Sequence, residues 1–393
     1  MKKILLSMLI LIMTSLSLNA AVQYRLEDFL DDEGGAGVGF LSIDNRPFVK
    51  TSLSPNFKFN SFILGLDFNL YIPTDGNDSI PDGLDWVVFR KVGYDHKSKY
   101  GFEWGRLTNM RFGYGMVMDD YDTGAGGTSE FDQNKTGLYT YATFQNVKIK
   151  ALISYLNTQA VRVEAPFENI KMFGAPLTLG ATYVTDTDGV SDSVTGATRS
   201  SETVYGADVG LPISEQFTPY AEAANIENRG SGFSAGFLGA VGDLDYKAEY
   251  RYLEAGFVPG YFSPTYEATS FNFDTDSLQE DVSGILVSAK TTQLNGNVLA
   301  GAQYELYDEV NRLTAAVGWK NVSPLTGVIN YAKEFSAGDD TLGTAIMDFY
   351  YVTGKWYDLV GQYKWVFLPN GETDESYSVG IRVVPEELFP DFL

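Results

Sequence analysis

A strict two-residue alternation runs through Asp245–Tyr252, where Asp, Lys, Glu and Arg occupy one set of positions and Tyr, Ala, Tyr and Tyr the other. Successive side chains of a β-strand point to opposite faces, so this segment predicts a strand with one charged face and one apolar face. In a soluble sandwich the apolar face would pack on a core, whereas in a membrane barrel it would contact lipid. The other segments of the chain distinguish between these two environments.

The same alternation recurs along the chain, in residues 62–72, 147–155, 312–320, 357–367 and 376–383. One face of each segment is apolar or aromatic almost throughout, and helical patterns are nearly absent from about residue 35 to about residue 384. A single ladder of this kind also occurs in soluble all-β proteins. The whole set predicts an all-β fold, a closed antiparallel up-and-down transmembrane β-barrel, because closure satisfies every backbone donor and acceptor within lipid.

The N-terminus predicts export. A positive start, Met1-Lys2-Lys3, is followed by an apolar stretch up to Leu16 and by small residues ending at Ala20, which is typical of a signal peptide covering residues 1–20. Residues 21–34 would form a short N-terminal segment, and residues 35–393 a single barrel domain. The chain has no Cys, and its mean hydropathy of −0.11 is expected if only alternate strand residues face lipid.

Polar stretches separate the segments of alternating residues. Six of these stretches predict extracellular loops: residues 73–83, 119–136, 186–201, 255–281, 336–345 and 369–375. Tight turns are predicted between these loops, including one near Glu168-Asn169. The spacing predicts about 18 strands, within a range of 16 to 20, and an even number. Residues 35–54 are read either as two strands or as an irregular segment, and residues 84–118 as two strands or three.

Charge is concentrated in the six predicted loops, which hold 21 acidic residues against two basic ones and so carry −19 of the formal −23. This balance argues against a nucleic-acid partner, because phosphate binding needs basic patches. The predicted inner faces mix both signs. The candidate pore-lining residues are Arg106, Arg111, Lys148, Lys150, Arg162, Glu164, Lys247, Glu249, Arg251, Glu305, Arg312, Lys320, Lys364 and Arg382.

Two segments are unusual. The stretch 255–281 contains Phe257, Tyr261, Phe262 and Tyr266, which is too aromatic for a freely solvated loop, so it either enters the lumen as a constriction or packs over the barrel rim. The stretch Arg106–Gly115 carries two arginines and two glycines, and either lines the pore or forms a bulged strand.

No catalytic, metal or cofactor site is predicted. His96 is the single histidine and lies in a predicted turn, and the absence of Cys excludes metal sites built from several His or Cys. Asp186-Thr187-Asp188-Gly189 contains part of a calcium-loop pattern but has neither the regular third ligand nor the distal Glu, so a polar turn is the preferred interpretation.

The signal peptide, the ladders and the alternation of short turns with longer loops resemble those of Gram-negative outer-membrane β-barrels of the porin-like kind. The resemblance covers nearly all of the mature chain and rests on pattern rather than on a specific motif. It implies a location in the bacterial outer membrane, contact with its lipid and lipopolysaccharide, folding by the barrel-assembly machinery, small solutes as cargo and association into a homo-oligomer. Unlike many such barrels, the chain continues for several residues beyond its last clear ladder.

Two main functions remain open from the sequence. The first is a passive channel for small hydrophilic solutes with a weak preference for cations, favoured because about 18 strands enclose an aqueous lumen. The second is a transporter of hydrophobic compounds similar to the long-chain fatty-acid transporter family, in which residues 21–34 would supply a partial plug. A structural or adhesive role of the acidic loops is a weaker third.

Overall fold

The computed structural model describes residues 35–43, 46–73, 87–123, 136–155, 157–187, 201–263, 266, 278–294, 297–308, 310–320, 325–336, 343–352, 357–367 and 373–383. The predicted signal peptide, the segment 21–34 and the C-terminal residues 384–393 lie outside these ranges. Within them, no helix is long and apolar enough to cross a membrane.

The described residues form strands along nearly their whole length. The first strands are β1 Gly35–Ile43, β2 Arg46–Ser54, β3 Asn56–Phe59, β4 Phe62–Pro73, β5 Val87–His96, β6 Tyr100–Gly105, β7 Met110–Phe112, β8 Met118–Tyr121, β9 Gly137–Phe144, β10 Val147–Ser154, β11 Thr158–Met172 and β12 Ala175–Asp186. The remaining strands are β13 Thr203–Gly210, β14 Thr218–Ile226, β15 Gly230–Val241, β16 Leu244–Leu253, β17 Val282–Gln293, β18 Val298–Tyr307, β19 Val310–Trp319, β20 Leu325–Ser336, β21 Gly343–Val352, β22 Tyr357–Phe367 and β23 Thr373–Val383.

All these strands except β7 and β8 belong to one antiparallel sheet of 21 strands. Strand β1 pairs with β2 on one edge and with β23 on the other, so the pairings form a continuous ring. Strands β2 and β3 share one edge of β4, so in the described part of the chain the 21 strands fill 20 positions. This is the upper limit of the predicted range, because residues 35–54 contribute two strands to the wall.

Connections alternate between the two ends of the ring. One end, called the short-turn end, carries tight turns such as Gln145-Asn146 and Gly242-Asp243, and the other end carries the longer connections. The turn predicted near Glu168-Asn169 is wrong: β11 continues through this point with a shift of register between Phe167 and Lys171. The chain reverses instead at Phe173 and Gly174, which have φ of 52° and 84°.

The outer face of the ring is apolar. On β16, Tyr250 and Tyr252 are half exposed, whereas Glu249 and Arg251 on the opposite face are buried, as the alternation in this segment predicts. Large exposed apolar side chains continue around the neighbouring strands: Val161, Val163, Leu179, Tyr183, Tyr205, Phe233, Phe237, Ile285, Val287, Tyr304 and Leu306. A band of this size is costly in water and is stable against lipid.

The main apolar cluster lies inside the ring. Its wall side consists of small and aliphatic residues on the inner faces of β10 to β18, such as Leu152, Val184 and Ala224. Its other members come from two inward segments of chain, around β7 and β8 and after β16. The interior next to these strands is therefore filled by polypeptide.

Candidate functional site

The first inward segment, residues 106–123, leaves the wall after β6 and returns before β9; we call it the plug segment. Its base is closed by two hydrogen bonds between Leu107 and Thr123, in which Leu107 N donates to Thr123 Oγ1 and Thr123 N donates to Leu107 O, both at 3.0 Å. Strands β7 and β8 pair with each other and not with the wall. Phe112, Val117 and Tyr121 are fully buried. The segment therefore has its own hydrogen bonds and docks on the wall mainly through side chains.

Glycines on the inner wall make room for the plug segment. A Cβ atom on Gly206 would lie 2.7 Å from Cγ2 of Val117, and one on Gly232 would lie 2.6 Å from Cε of Met116. Real Cβ atoms do not approach other atoms so closely, so a side chain at either position would displace the segment. Glycine within a strand often marks such a close approach.

Two charged wall residues bind the backbone of the plug segment. Oε2 of Glu222 accepts hydrogen bonds from Tyr114 N at 3.1 Å and from Met116 N at 3.0 Å. Nζ of Lys247 donates to Tyr114 O at 2.7 Å. The Tyr114 ring also stacks on the ring of Tyr220, with centroids 4.1 Å apart. Burial raises the pKa of Tyr114 to about 12, so its hydroxyl stays neutral.

The second inward segment, residues 254–263 with Tyr266, belongs to the predicted aromatic loop; we call it the strap segment. Phe257, Tyr261, Phe262 and Tyr266 are all buried within the same cluster as the plug segment. The Phe262 and Tyr266 rings lie 4.7 Å apart between centroids. These contacts bury the four aromatic side chains of the loop against the plug segment.

The wall around the two segments carries buried charges that pair with one another. Arg162 binds both carboxylate oxygens of Asp208, with Nη2 to Oδ1 at 3.0 Å. Glu249 accepts an ion pair from Lys247 at 3.0 Å and another from Arg251 at 2.6 Å. Glu305 accepts a hydrogen bond from the Tyr307 hydroxyl at 2.8 Å. Such pairing offsets the cost of removing these charges from water.

A polar chamber of about 720 Å³ lies between the plug segment and the short-turn end. Its lining residues are Asn109, Arg111, Asp119 and Asp120 of the plug segment and Glu215, Leu238, Gly239, Ala240, Asp245, Tyr246, Lys247, Ser288, Ala289, Lys290, Leu299 and Gln303 of the wall. Arg111 binds Asp119 and Asp120, the latter at 3.2 Å, and the Asp119 charge raises the pKa of Arg111. Burial and the Asp119 charge raise the pKa of Asp120 to about 6.

The predicted pore-lining residues therefore occupy several environments. Arg162, Glu249, Arg251 and Glu305 are buried beside the two inward segments, and Arg111 and Lys247 line the chamber. Lys148 is more exposed and pairs with Glu164 at 3.4 Å, and Lys150 lies opposite Arg162 where β10 pairs with β11. Arg106 lies at the base of the plug segment. Arg312 lies opposite Glu305 where β18 pairs with β19, and Lys320 follows β19. Lys364 and Arg382 lie in β22 and β23, but their side chains fall outside the described part of the structure.

The stretch Arg106–Gly115 forms the first half of the plug segment. It contains β7, whose pairing with β8 shifts register between Met110 and Phe112, so a bulged strand is present, in the plug segment and not in the wall. Arg111 of this strand lines the chamber and pairs with Asp120 of β8. Sequence reasoning missed Glu222 and Asp208, whose outward-facing neighbours are small residues that weaken the alternation. It also missed the inner-wall ion pair between Lys91 and Glu103, at 3.1 Å, for which the alternation of Lys91, Gly93 and Asp95 was an available signal.

The remaining sequence candidates have structural roles. His96 ends β5 at a turn, as predicted, and its ring stacks on Tyr100 with centroids 4.8 Å apart. Asp186 is buried and accepts a hydrogen bond from the Tyr266 hydroxyl at 2.8 Å. Among the residues that the structure describes, no group of three or more His, Cys, Asp or Glu side chains could hold a metal ion.

No family model and no curated protein matches the chain. Solved structures with a similar fold include the Pseudomonas aeruginosa protein OccK3 (OpdO), with 11% identity, a TM-score of 0.40 and coverage of 91% of this chain and 96% of that one. They also include Wzi of Escherichia coli, described as a carbohydrate-binding β-barrel of the outer membrane, with 11% identity, a TM-score of 0.36 and coverage of 90% and 84%. A mutant of the Rh. blastica porin has 12% identity, a TM-score of 0.31 and coverage of 89% and 98%.

Proposed function

We propose that the protein is a channel of the bacterial outer membrane through which small hydrophilic solutes pass. The proposal is carried by one observation, a charged chamber inside a ring of strands whose outer face is apolar. An apolar outer face is stable in lipid, and a charged interior is stable in contact with water. A ring with 20 positions encloses more space than the roughly eight strands whose interior side chains alone can fill.

In this proposal the outer face contacts outer-membrane lipid, and divalent cations link the predicted acidic loops to anionic lipopolysaccharide. Assembly by the barrel-assembly machinery and association into a homo-oligomer are further parts of the proposal, as is the absence of an enzymatic activity. Each of these follows from the barrel architecture rather than from a particular residue.

The proposed channel prefers cations modestly. The chamber is lined by four acidic residues, Asp119, Asp120, Glu215 and Asp245, against the basic residues Arg111, Lys247 and Lys290. The net charge of the lining is therefore −1 when all are ionised. The predicted acidic loops add a negative field at the mouth, which salt screens beyond roughly 10 Å at about 0.1 M.

Planar-bilayer recording on the purified, refolded mature protein tests the proposal. We expect stepwise conductance that protein-free bilayers do not have, and swelling of liposomes in small sugars or amino acids. A folded barrel that gives neither conductance nor swelling refutes the channel function.

A second candidate, transport of hydrophobic compounds, is favoured by the apolar cluster inside the ring, which includes Phe112, Tyr121, Phe257 and Phe262. Such an apolar cluster could guide an apolar molecule through the barrel. Binding of a fluorescent fatty acid to the folded protein, lost when Phe257 is replaced by Ala but retained when the outward-facing Phe233 is replaced by Ala, would support this function over the first.

A further inference from the structure

We propose that the plug and strap segments form a two-part gate: the strap segment holds the plug segment inside the barrel, and withdrawal of the strap segment releases the plug segment and widens the passage. This inference rests on the proposed channel function. It assigns the control of the channel to the strap segment, which follows β16 at the long-loop end of the barrel.

The strap segment is bonded directly to the plug segment. Asp119 N donates to Phe262 O at 3.2 Å, and Gly260 N donates to Met116 O at 2.9 Å. Met118 and Phe262 form a parallel β-bridge. Gly260 has a φ of +61°, and a Cβ atom there would lie 3.3 Å from Cβ of Asp119, so the two backbones approach closely. The strap segment thus supplies to β8 a backbone partner that the wall does not supply.

The strap segment is in turn anchored to the wall. The Tyr266 hydroxyl donates to Asp186 Oδ2 at the end of β12, at 2.8 Å. The Phe257 ring lies against Gly232 of β15, where a side chain would collide with it. These anchors lie on two different strands of the wall, β12 and β15. Loss of either anchor weakens the hold of the strap segment on the plug segment.

The wall is suited to both states of the gate. Its buried charges pair mainly with one another, as between Arg162 and Asp208 or between Glu249 and Arg251. These pairs keep their partners when the plug segment leaves, so release adds water to the interior without stranding most of the buried charges. Glu222 and Lys247 bind the plug backbone, and Lys247 retains its ion pair with Glu249 after release.

Thiol labelling measures the gate without relying on conductance. The chain has no Cys, so a Val117→Cys variant carries a single thiol, at a position that is fully buried under the strap and plug cluster. In this background we would compare Tyr266→Phe, which removes only the hydroxyl bonded to Asp186, and Phe262→Ala, which removes a packed ring. Tyr205→Phe and Phe233→Ala, on the outer face, are the matched controls.

We expect the labelling rate of Cys at position 117 to rise about fivefold in Tyr266→Phe and about tenfold or more in Phe262→Ala, and to stay unchanged in both controls. Bilayer recordings on the same proteins should show longer wide-open periods in the two strap variants. Unchanged labelling in Tyr266→Phe and Phe262→Ala, with a barrel that still has a strand-rich circular dichroism spectrum, overturns the gate. Faster labelling without any conductance supports the coupling of the two segments and refutes the channel function instead.

Discussion

Replacing Glu222 should release the plug segment from the wall. The Glu222 carboxylate accepts the N–H groups of Tyr114 and Met116, which are otherwise enclosed in the barrel. Each hydrogen bond contributes about 0.5–1.5 kcal/mol to a neutral carboxyl group and about 1.5–3 kcal/mol to a carboxylate, so Glu222→Ala removes at least about 1 kcal/mol from docking and at least about 3 kcal/mol when Glu222 is ionised. Because about 1.4 kcal/mol is a factor of ten, the ratio of released to docked plug segment should rise at least about fivefold, and roughly 100-fold or more when Glu222 is ionised.

Labelling of a single Cys at position 117 measures this ratio, when opening and closing are fast compared with labelling. Glu222→Gln keeps an oxygen that can accept both N–H groups, so its labelling rate should lie between those of the parent protein and Glu222→Ala. Glu305→Gln is the control, since Glu305 is a buried acid of the inner wall whose bonds are to Gln303, Tyr307 and Arg251. Equal labelling in Glu222→Ala and Glu305→Gln would refute the assignment of Glu222 as the main attachment of the plug segment.

Three further outcomes are expected from the same contacts. Gly232→Val should displace the plug segment and raise labelling about tenfold, whereas an unchanged rate would show that the wall glycines are dispensable. The pKa of Asp120 in the docked state, about 6, lies above its ordinary value of 3.8, so docking should strengthen as the pH falls through about 6 and weaken as it rises. Single-channel openings should therefore become rarer at low pH, and Asp120→Asn should reduce this dependence. The reversal potential in a salt gradient should show cation preference that decreases at high ionic strength, and anion preference at both strengths would contradict the charge argument.

The strands were predictable because their pattern is local. Alternation of side chains decides which face of a strand is apolar, whatever the strand pairs with, and Glu249–Tyr252 alternate between buried and exposed as their sequence predicts. The long connection after β16 was also predictable, since its bounds follow from the end of one ladder and the start of the next. The turn after β11 was misplaced because Asn169, a residue common in turns, lies here within an irregularity of the strand.

The candidate site was only partly predictable. The aromatic content of the β16–β17 loop indicated that Phe257 and Phe262 needed a partner, and the structure places that partner in the plug segment, more than a hundred residues earlier in the chain. Glu222 could not be singled out, because its role depends on two backbone N–H groups of that same distant segment. The sequence by itself determined the strands, the apolar face of each and the charged face opposite, since these depend on neighbours within one strand. Closure of the ring and the docking of two loops in its interior were decided by the tertiary structure, because they depend on contacts between residues far apart in the chain.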